Sequence, residues 1–374
     1  MFEWTSTFLN YLIPFLFVLT IVVFVHEMGH FLVARACGVK VETFSIGFGP
    51  EIYAFFDRYG TRWRLAAVPL GGYVKFYGDA DGASAPSPEM LASMSAAERR
   101  LSFHGQPVAN RAAIVVAGPM ANFILAIAFF TSIFMISGRD VLLPRVSSVV
   151  AGDAADQAGF KPGDVIVSID GKPINSWLEM QRIVQASADI PLNFVLRRDD
   201  KEIATIATPR LRDVETGFGK NRAGILGVSA SSLPQDWIRQ EMGLKDSLIG
   251  AFGETWFIIE RTGSYLGGLF TGRESAEQIS GPIRIAEISG KVASIGLLAL
   301  LNLAAILSVS IGLINLVPIP MLDGGHLLFY FFEAIRGRPL SERTQELSFK
   351  VGMALVGGFM IFATINDILH FTKI

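Results

Sequence analysis

Two histidines four residues apart, His26 and His30, bracket Glu27 in the stretch Phe24-Val25-His26-Glu27-Met28-Gly29-His30-Phe31. On a helix, positions four apart lie one turn apart on the same face, so both imidazoles can turn a nitrogen toward one ion. Glu27, next to the first of them, can reach a water held at that ion and take its proton. Read as ordinary structure, the same residues would be two satisfied helix histidines and a surface glutamate. Their placement argues against that, because they follow directly on an apolar run, where ionisable side chains are costly and usually functional.

Two histidines do not complete a catalytic zinc site, which uses three protein ligands and keeps a position for water. The chain has one cysteine, Cys37, which excludes an internal disulfide framework and a thiolate-rich metal site. The missing ligand is therefore His, Asp or Glu. Asp323 is the candidate, in Asn315-Leu316-Val317-Pro318-Ile319-Pro320-Met321-Leu322-Asp323-Gly324-Gly325. It stands at the end of an apolar segment, among prolines and glycines that must interrupt the helix. Broken backbone at membrane depth is tolerated only where it is buried or lines a wet cavity, and a carboxylate there needs a partner such as zinc. His326 is a competing ligand and Glu333 a weaker one.

The elements that must carry these groups are apolar. Hydrophobic residues make up 51% of the 374 and charged residues 18%, where soluble domains hold about a quarter charged. Residues 7–25, 112–136, 292–322 and 351–366 carry no charge. A membrane span needs about 20 apolar residues, so the first three qualify and the fourth is short. Only Glu3 precedes the first run and no small-residue cleavage site closes it, so it is expected to stay as a permanent helix rather than a removed signal peptide. Arg35, Lys40, Arg58, Arg62, Arg64, Lys75, Arg99, Arg100 and Arg111 lie between the first two runs, and Arg336, Arg338, Arg343 and Lys350 between the last two. The positive-inside rule then puts both loops in the cytoplasm and both termini, with residues 138–290, outside. A net charge of −2 and the lack of a basic block give no sign of a nucleic-acid partner.

At these residues the chain resembles the site-2 protease family of intramembrane zinc metalloproteases, and within it the bacterial regulator-of-sigma-E protease group. The matching pieces are His26–His30, Gly47-Phe48-Gly49-Pro50, Pro69-Leu70-Gly71-Gly72-Tyr73-Val74-Lys75, Gly118-Pro119-Met120-Ala121-Asn122-Phe123, Ser280-Gly281-Pro282 and residues 315–325. The resemblance implies a multi-pass α-helical membrane protein of the bacterial inner membrane, with four transmembrane helices, a membrane-dipping β-hairpin and an inserted α+β PDZ domain on the external side. It implies Zn2+ held by His26, His30 and Asp323, with Glu27 as general base and the site toward the cytoplasm. Asn315 would hydrogen-bond the substrate backbone or oxyanion, with Asn122 a further polar partner. Gly71, Gly72 and Tyr73 would lie on the hairpin that pairs with an unwound substrate, although their spacing alone reads as an ordinary turn. Substrates would be single-span membrane proteins, such as anti-sigma factors or remnant signal peptides, cut in or beside the lipid bilayer during regulated intramembrane proteolysis.

Four parts follow: residues 1–137 with two spans, 138–212, 213–290 and 291–374 with the last two. Within the second, strands are expected at 146–149, 165–169, 191–197 and 202–208, with a turn at Asp170-Gly171 and a helix near 177–187. That order resembles a PDZ domain, which would bind a peptide or substrate ectodomain by strand addition or act only as a size filter. Segment 244–270 reads as an amphipathic helix on the membrane surface, or as one packed against that domain. Two other readings use the same residues: a membrane-anchored zinc protease acting on soluble chains with a glutamate as third ligand, and an inactive scaffold, which the intact Glu27 argues against.

Overall fold

The computed structural model describes residues 2–79, 93–216, 219–231, 233–270 and 280–372, so positions 217–218, 232 and 271–279 of the expected 213–290 segment lie outside the described residues. The described chain falls into two compact units. The first opens with helix α1 (Phe2–Ala36), strands β1 (Val41–Phe56) and β2 (Arg62–Phe76), the short α2 (Ala96–Leu101) and the long α3 (Val108–Ser137). Apolar stretches at Leu9–Ala36 and Val108–Ser137 are long enough to cross a membrane. Glycine sets how closely α1 and α3 cross: a Cβ on Gly29 would stand 2.3 Å from the Ala117 carbonyl oxygen. Small residues let helices approach in this way where lipid supplies no hydrophobic drive.

Beyond α1 the β1–β2 sheet packs back on the helix. Phe44 stacks on Trp63 at 4.5 Å and meets Phe31 edge-on at 5.5 Å. The Arg35 guanidinium lies over the Phe31 and Tyr59 rings, at 4.7 and 4.1 Å, and bonds Asp57 at 3.1 Å. Partial burial opposes ionisation of Asp57, yet the backbone N–H groups of Thr61 and Tyr59, the Trp63 indole and Arg35 hold its carboxyl below the ordinary range. The sheet is more folded than a plain hairpin. Thr43–Ile46 of β1 lies beside both Arg62–Leu65 and Gly72–Lys75 of β2, so Ile46 faces Leu65 on one side and Gly72 on the other.

The second unit holds residues 134–246 and a segment from Ser264. Its elements are β3 (Arg139–Leu142), β4 (Val146–Val149), α4 (Ala154–Gln157), β5 (Val165–Ile169), β6 (Lys172–Pro173), α5 (Trp177–Ala186), β7 (Leu192–Arg198), β8 (Lys201–Ala207), β9 (Arg210–Thr216), β10 (Gly219–Ile225), β11 (Val228–Ala230) and β12 (Trp237–Gln240). Four strands form an antiparallel sheet in the order β6-β5-β7-β8. Asp170 and Gly171 both take positive φ, 49° and 76°, as a two-residue hairpin turn requires. Phe160, Ile166, Ile169, Phe194 and Leu196 form the core. This compact unit extends past the expected limit at 212. Strand β11 pairs with β4 and β12 with β3, so the unit runs on to Asp246, because its early strands are completed by late ones.

Helix α6 (Leu244–Phe270) follows, then α7 (Pro282–Ile295), α8 (Leu297–Asn315), α9 (Asp323–Arg336) and α10 (Glu342–Thr372). The uncharged run 292–322 is not one span. Gly296, at φ 143°, separates α7 from α8, and the stretch long enough to cross is Leu297–Asn315. A fourth lies at Arg343–Leu369. Val18 and Val22 of α1 pack on Leu300 and Ala304 of α8, with Leu125 of α3 beside them, which seats the third span against the first.

Helix α10 is tied to α7 by one carboxylate. Asp367, 1% exposed, accepts from the backbone N–H groups of Gly281, Ile283 and Arg284 at 2.8, 3.0 and 3.0 Å. These are donors that the first turn of a helix cannot satisfy itself. Asp367→Ala would leave them unpaired and should cost about 1.5–3 kcal/mol. It should lower the melting temperature in detergent by several degrees with zinc content unchanged; an unaltered melting curve would contradict this capping role.

Candidate metal centre

His26 and His30 sit inside α1, not at its end, since the helix continues to Ala36. Asp323 is the first residue of α9. The loop before it is shaped by its sequence: Pro318 and Pro320 cannot continue a helix, and Met321 takes a left-handed φ of 87°. For a side chain with a Cβ that conformation is strained, and such strain collects at functional sites. The two glycines after Asp323 let α9 fold down on this loop. A Cβ on Gly324 would stand 2.3 Å from the Leu316 and Val317 carbonyl oxygens, and one on Gly325 2.4 Å from that of Ile319.

Three side chains converge, each offering one ligand atom within 4.8 Å of the others. His26 Nε2 lies 3.2 Å from Asp323 Oδ2, His30 Nε2 3.6 Å from Asp323 Oδ1, and the two Nε2 atoms are 3.2 Å apart. Ligands about 2.0–2.2 Å from a tetrahedral zinc stand roughly 3.3–3.6 Å from one another, and each imidazole nitrogen lies near that distance from one oxygen of the carboxylate.

The remote nitrogens are also engaged. His30 Nδ1 lies 2.9 Å from the Ile114 carbonyl oxygen of α3, an arrangement that leaves Nε2 free for a metal. His26 Nδ1 lies 3.3 Å from the Asn122 amide. Gly118 makes room for both rings, since a Cβ there would come within 2.3 Å of His30 Nε2 and 3.0 Å of His26 Cε1. The sequence pointed to Asn122 as a partner for substrate, but it is fully buried and absent from the cavity wall. That side chain stands behind His26, on the side away from the other two ligands.

A cavity of about 220 Å³ opens at the ligands, lined by Glu27, Gly72, Tyr73, Asn315, Met321 and His326 among others. Gly72 brings strand β2 to Glu27: a Cβ there would stand 3.0 Å from Glu27 Cγ. Gly71 turns the strand, and a Cβ on it would strike the Phe48 ring at 2.4 Å. The Tyr73 hydroxyl accepts from Arg64 at 3.0 Å. His326 lines the cavity without joining the convergent set. Its ring packs 5.4 Å from that of Phe349, and burial holds its imidazole below the ordinary value.

Glu333 is elsewhere engaged, by both terminal nitrogens of Arg111 at 3.1 and 2.6 Å, with that guanidinium 4.9 Å from the Tyr330 ring centroid. This pair ties α9 to the start of α3. Among the features that sequence reasoning missed are the Ile114 carbonyl, the Gly118 clearance and the Arg111–Glu333 pair. None has a local pattern, since each joins positions far apart in the chain.

The chain matches the family model described as peptidase family M50 over residues 14–359. A protein of Agrobacterium fabrum, named as a candidate zinc metalloprotease, is 45% identical over 97% of both chains. Metalloprotease MmpA of Caulobacter vibrioides is 43% identical over 96% of both. Regulator of sigma-E protease RseP of Salmonella typhimurium is 32% identical over 95% of this chain and 98% of its own. Among solved structures, a PDZ domain of an SdrC-like protein from Listeria monocytogenes matches 23% of this chain and 84% of its own, at 18% identity and a TM-score of 0.19.

The ligand set predicts a stoichiometry. Purified Asp323→Ala protein should hold well under one zinc per chain by elemental analysis, while Glu333→Gln should keep a full equivalent. Full zinc in the first variant would move the third ligand elsewhere.

Proposed function

This chain belongs to peptidase family M50, the site-2 proteases, and is a zinc metalloprotease; we propose that it cleaves single-span membrane proteins within or beside the bilayer. The observation that carries this reading is the ligand triangle, assembled between a helix long and apolar enough to span and a broken segment about 290 residues away, close to the spacing zinc requires. A site built into such a helix supports a substrate that also lies in the membrane.

His26, His30 and Asp323 hold the ion. Zinc, when bound, supplies Lewis acidity at the scissile carbonyl and at the attacking water. Glu27 takes the proton as that water adds to the carbonyl carbon, and returns it to the departing amine. Asn315, in the cavity wall, donates to the substrate carbonyl as negative charge develops on its oxygen. Strand β2 presents Gly72–Phe76 to the cavity, paired with β1 on one edge; among the described strands none pairs with the other edge. Gly71, Gly72 and Tyr73 thus lie where an extended substrate could add as a further strand. A helical peptide bond is shielded, and strand addition would expose it.

Finer assignments extend the same reading. The hairpin dips into the membrane, and the Lys and Arg bias of the short loops supports a cytoplasmic site with both termini outside. The strand and helix order of residues 138–212 supports a PDZ domain on the external side, offered to a substrate's ectodomain or peptide. Anti-sigma factors and remnant signal peptides, cut during regulated intramembrane proteolysis, are the substrate classes that the likeness to a regulator of sigma-E protease supports. Loss of the base should abolish turnover without loss of metal. Glu27→Gln is expected to keep its zinc and to cut a single-span reporter in detergent at least about 100-fold more slowly; undiminished cleavage would overturn the mechanism.

A further inference from the structure

Asn122 lies on α3, one turn beyond Gly118, and is fully buried. Its amide nitrogen stands 3.3 Å from His26 Nδ1, while its amide oxygen has no hydrogen-bond partner among the described residues. The Ser308 hydroxyl on α8 donates to its backbone carbonyl at 2.9 Å, which fixes this turn of α3 against the third span. We infer that Asn122 is a positioning residue for the metal ligand His26, its amide oxygen accepting the proton that the imidazole carries on Nδ1.

This role rests on the metal reading of the site, and hydrogen-bond accounting supports it. A neutral imidazole that gives Nε2 to a metal keeps its proton on Nδ1, so Nδ1 needs an acceptor. His30 meets that need with the Ile114 carbonyl. At His26 the group in reach is an amide, which has a donating and an accepting end. With nitrogen toward Nδ1, donor would face donor while the buried oxygen stayed without a partner. Half a turn about the last side-chain bond fills the same space, removes that clash and gives His26 its acceptor. The alternative role, donation to substrate, needs contact with the cavity, and Asn122 is not on its wall. Partners of this kind set the tautomer and orientation of a ligating histidine, and losing one typically weakens metal binding 10- to 100-fold.

Two variants in the full chain separate the roles. Zinc affinity would be read by competition with a chromophoric chelator, and cleavage of a single-span reporter at saturating zinc. Asn122→Asp keeps an acceptor but has no N–H to donate, so it should hold zinc within a few-fold of wild type and stay active. Asn122→Ala has neither and should bind zinc roughly 10- to 100-fold more weakly, with cleavage returning as zinc is raised. Wild-type affinity in Asn122→Ala would overturn the inference. So would Asn122→Asp that is fully loaded but inactive, which would assign the amide to substrate, or one that has lost zinc. If Asn122→Ala does not fold, Asn122→Asp decides alone. Failure of the metal reading itself would show separately, as wild-type protein that binds no zinc.

Discussion

Two imidazoles and a carboxylate meet, each imidazole Nε2 within 3.6 Å of one carboxylate oxygen, in a body whose longest helices are apolar enough to cross a membrane. Ionisable groups are expensive there unless they answer one another or a metal. That encounter is the constraint from which the rest of the first unit follows. Gly29 lets α1 approach α3. Gly118 leaves room for both imidazoles. Gly324 and Gly325 allow α9 to seat its first turn on the loop that delivers Asp323. At each of these places a methyl group would displace backbone or a ligand.

Precision at the ligands also depends on contacts further out. The Arg111–Glu333 pair holds α9 three turns beyond Asp323, and the Arg35–Asp57 pair with its flanking rings holds the sheet on the end of α1. Through that second anchor Gly72 comes to Glu27, so the base and the strand edge share one wall. A shift of the sheet would misplace the edge proposed to pair with substrate. A shift of α9 would open the ligand triangle.

Much of the site was legible before the fold, for a physical reason. The spacing of His26 and His30 is a helix period, and Asp323 is marked by the prolines and glycines around it. The sequence favours Asp323 over His326 and Glu333 without excluding them, because all three stand on one short helix. Packing separates them: Glu333 faces Arg111, His326 faces Phe349, and Asp323 faces the imidazoles. The local strands at 146–149 and 165–169 and the turn at Asp170-Gly171 were readable from β-branched runs and turn residues. The pairing of Val228–Ala230 with Val146–Val149 was not, since a register between strands about 80 residues apart leaves no local trace. The break at Gly296 was also hidden, because a single glycine in an apolar run does not by itself end a helix.

The central claim is that one ion is held jointly by α1 and α9, and zinc K-edge X-ray absorption on the purified protein tests it most directly. The account predicts a four-coordinate centre with two imidazole nitrogens and one carboxylate oxygen, all at about 2.0–2.2 Å, and a further light ligand. A shell with three imidazoles would put His326 in place of Asp323. A shell of water oxygens alone would mean that these residues do not hold the metal.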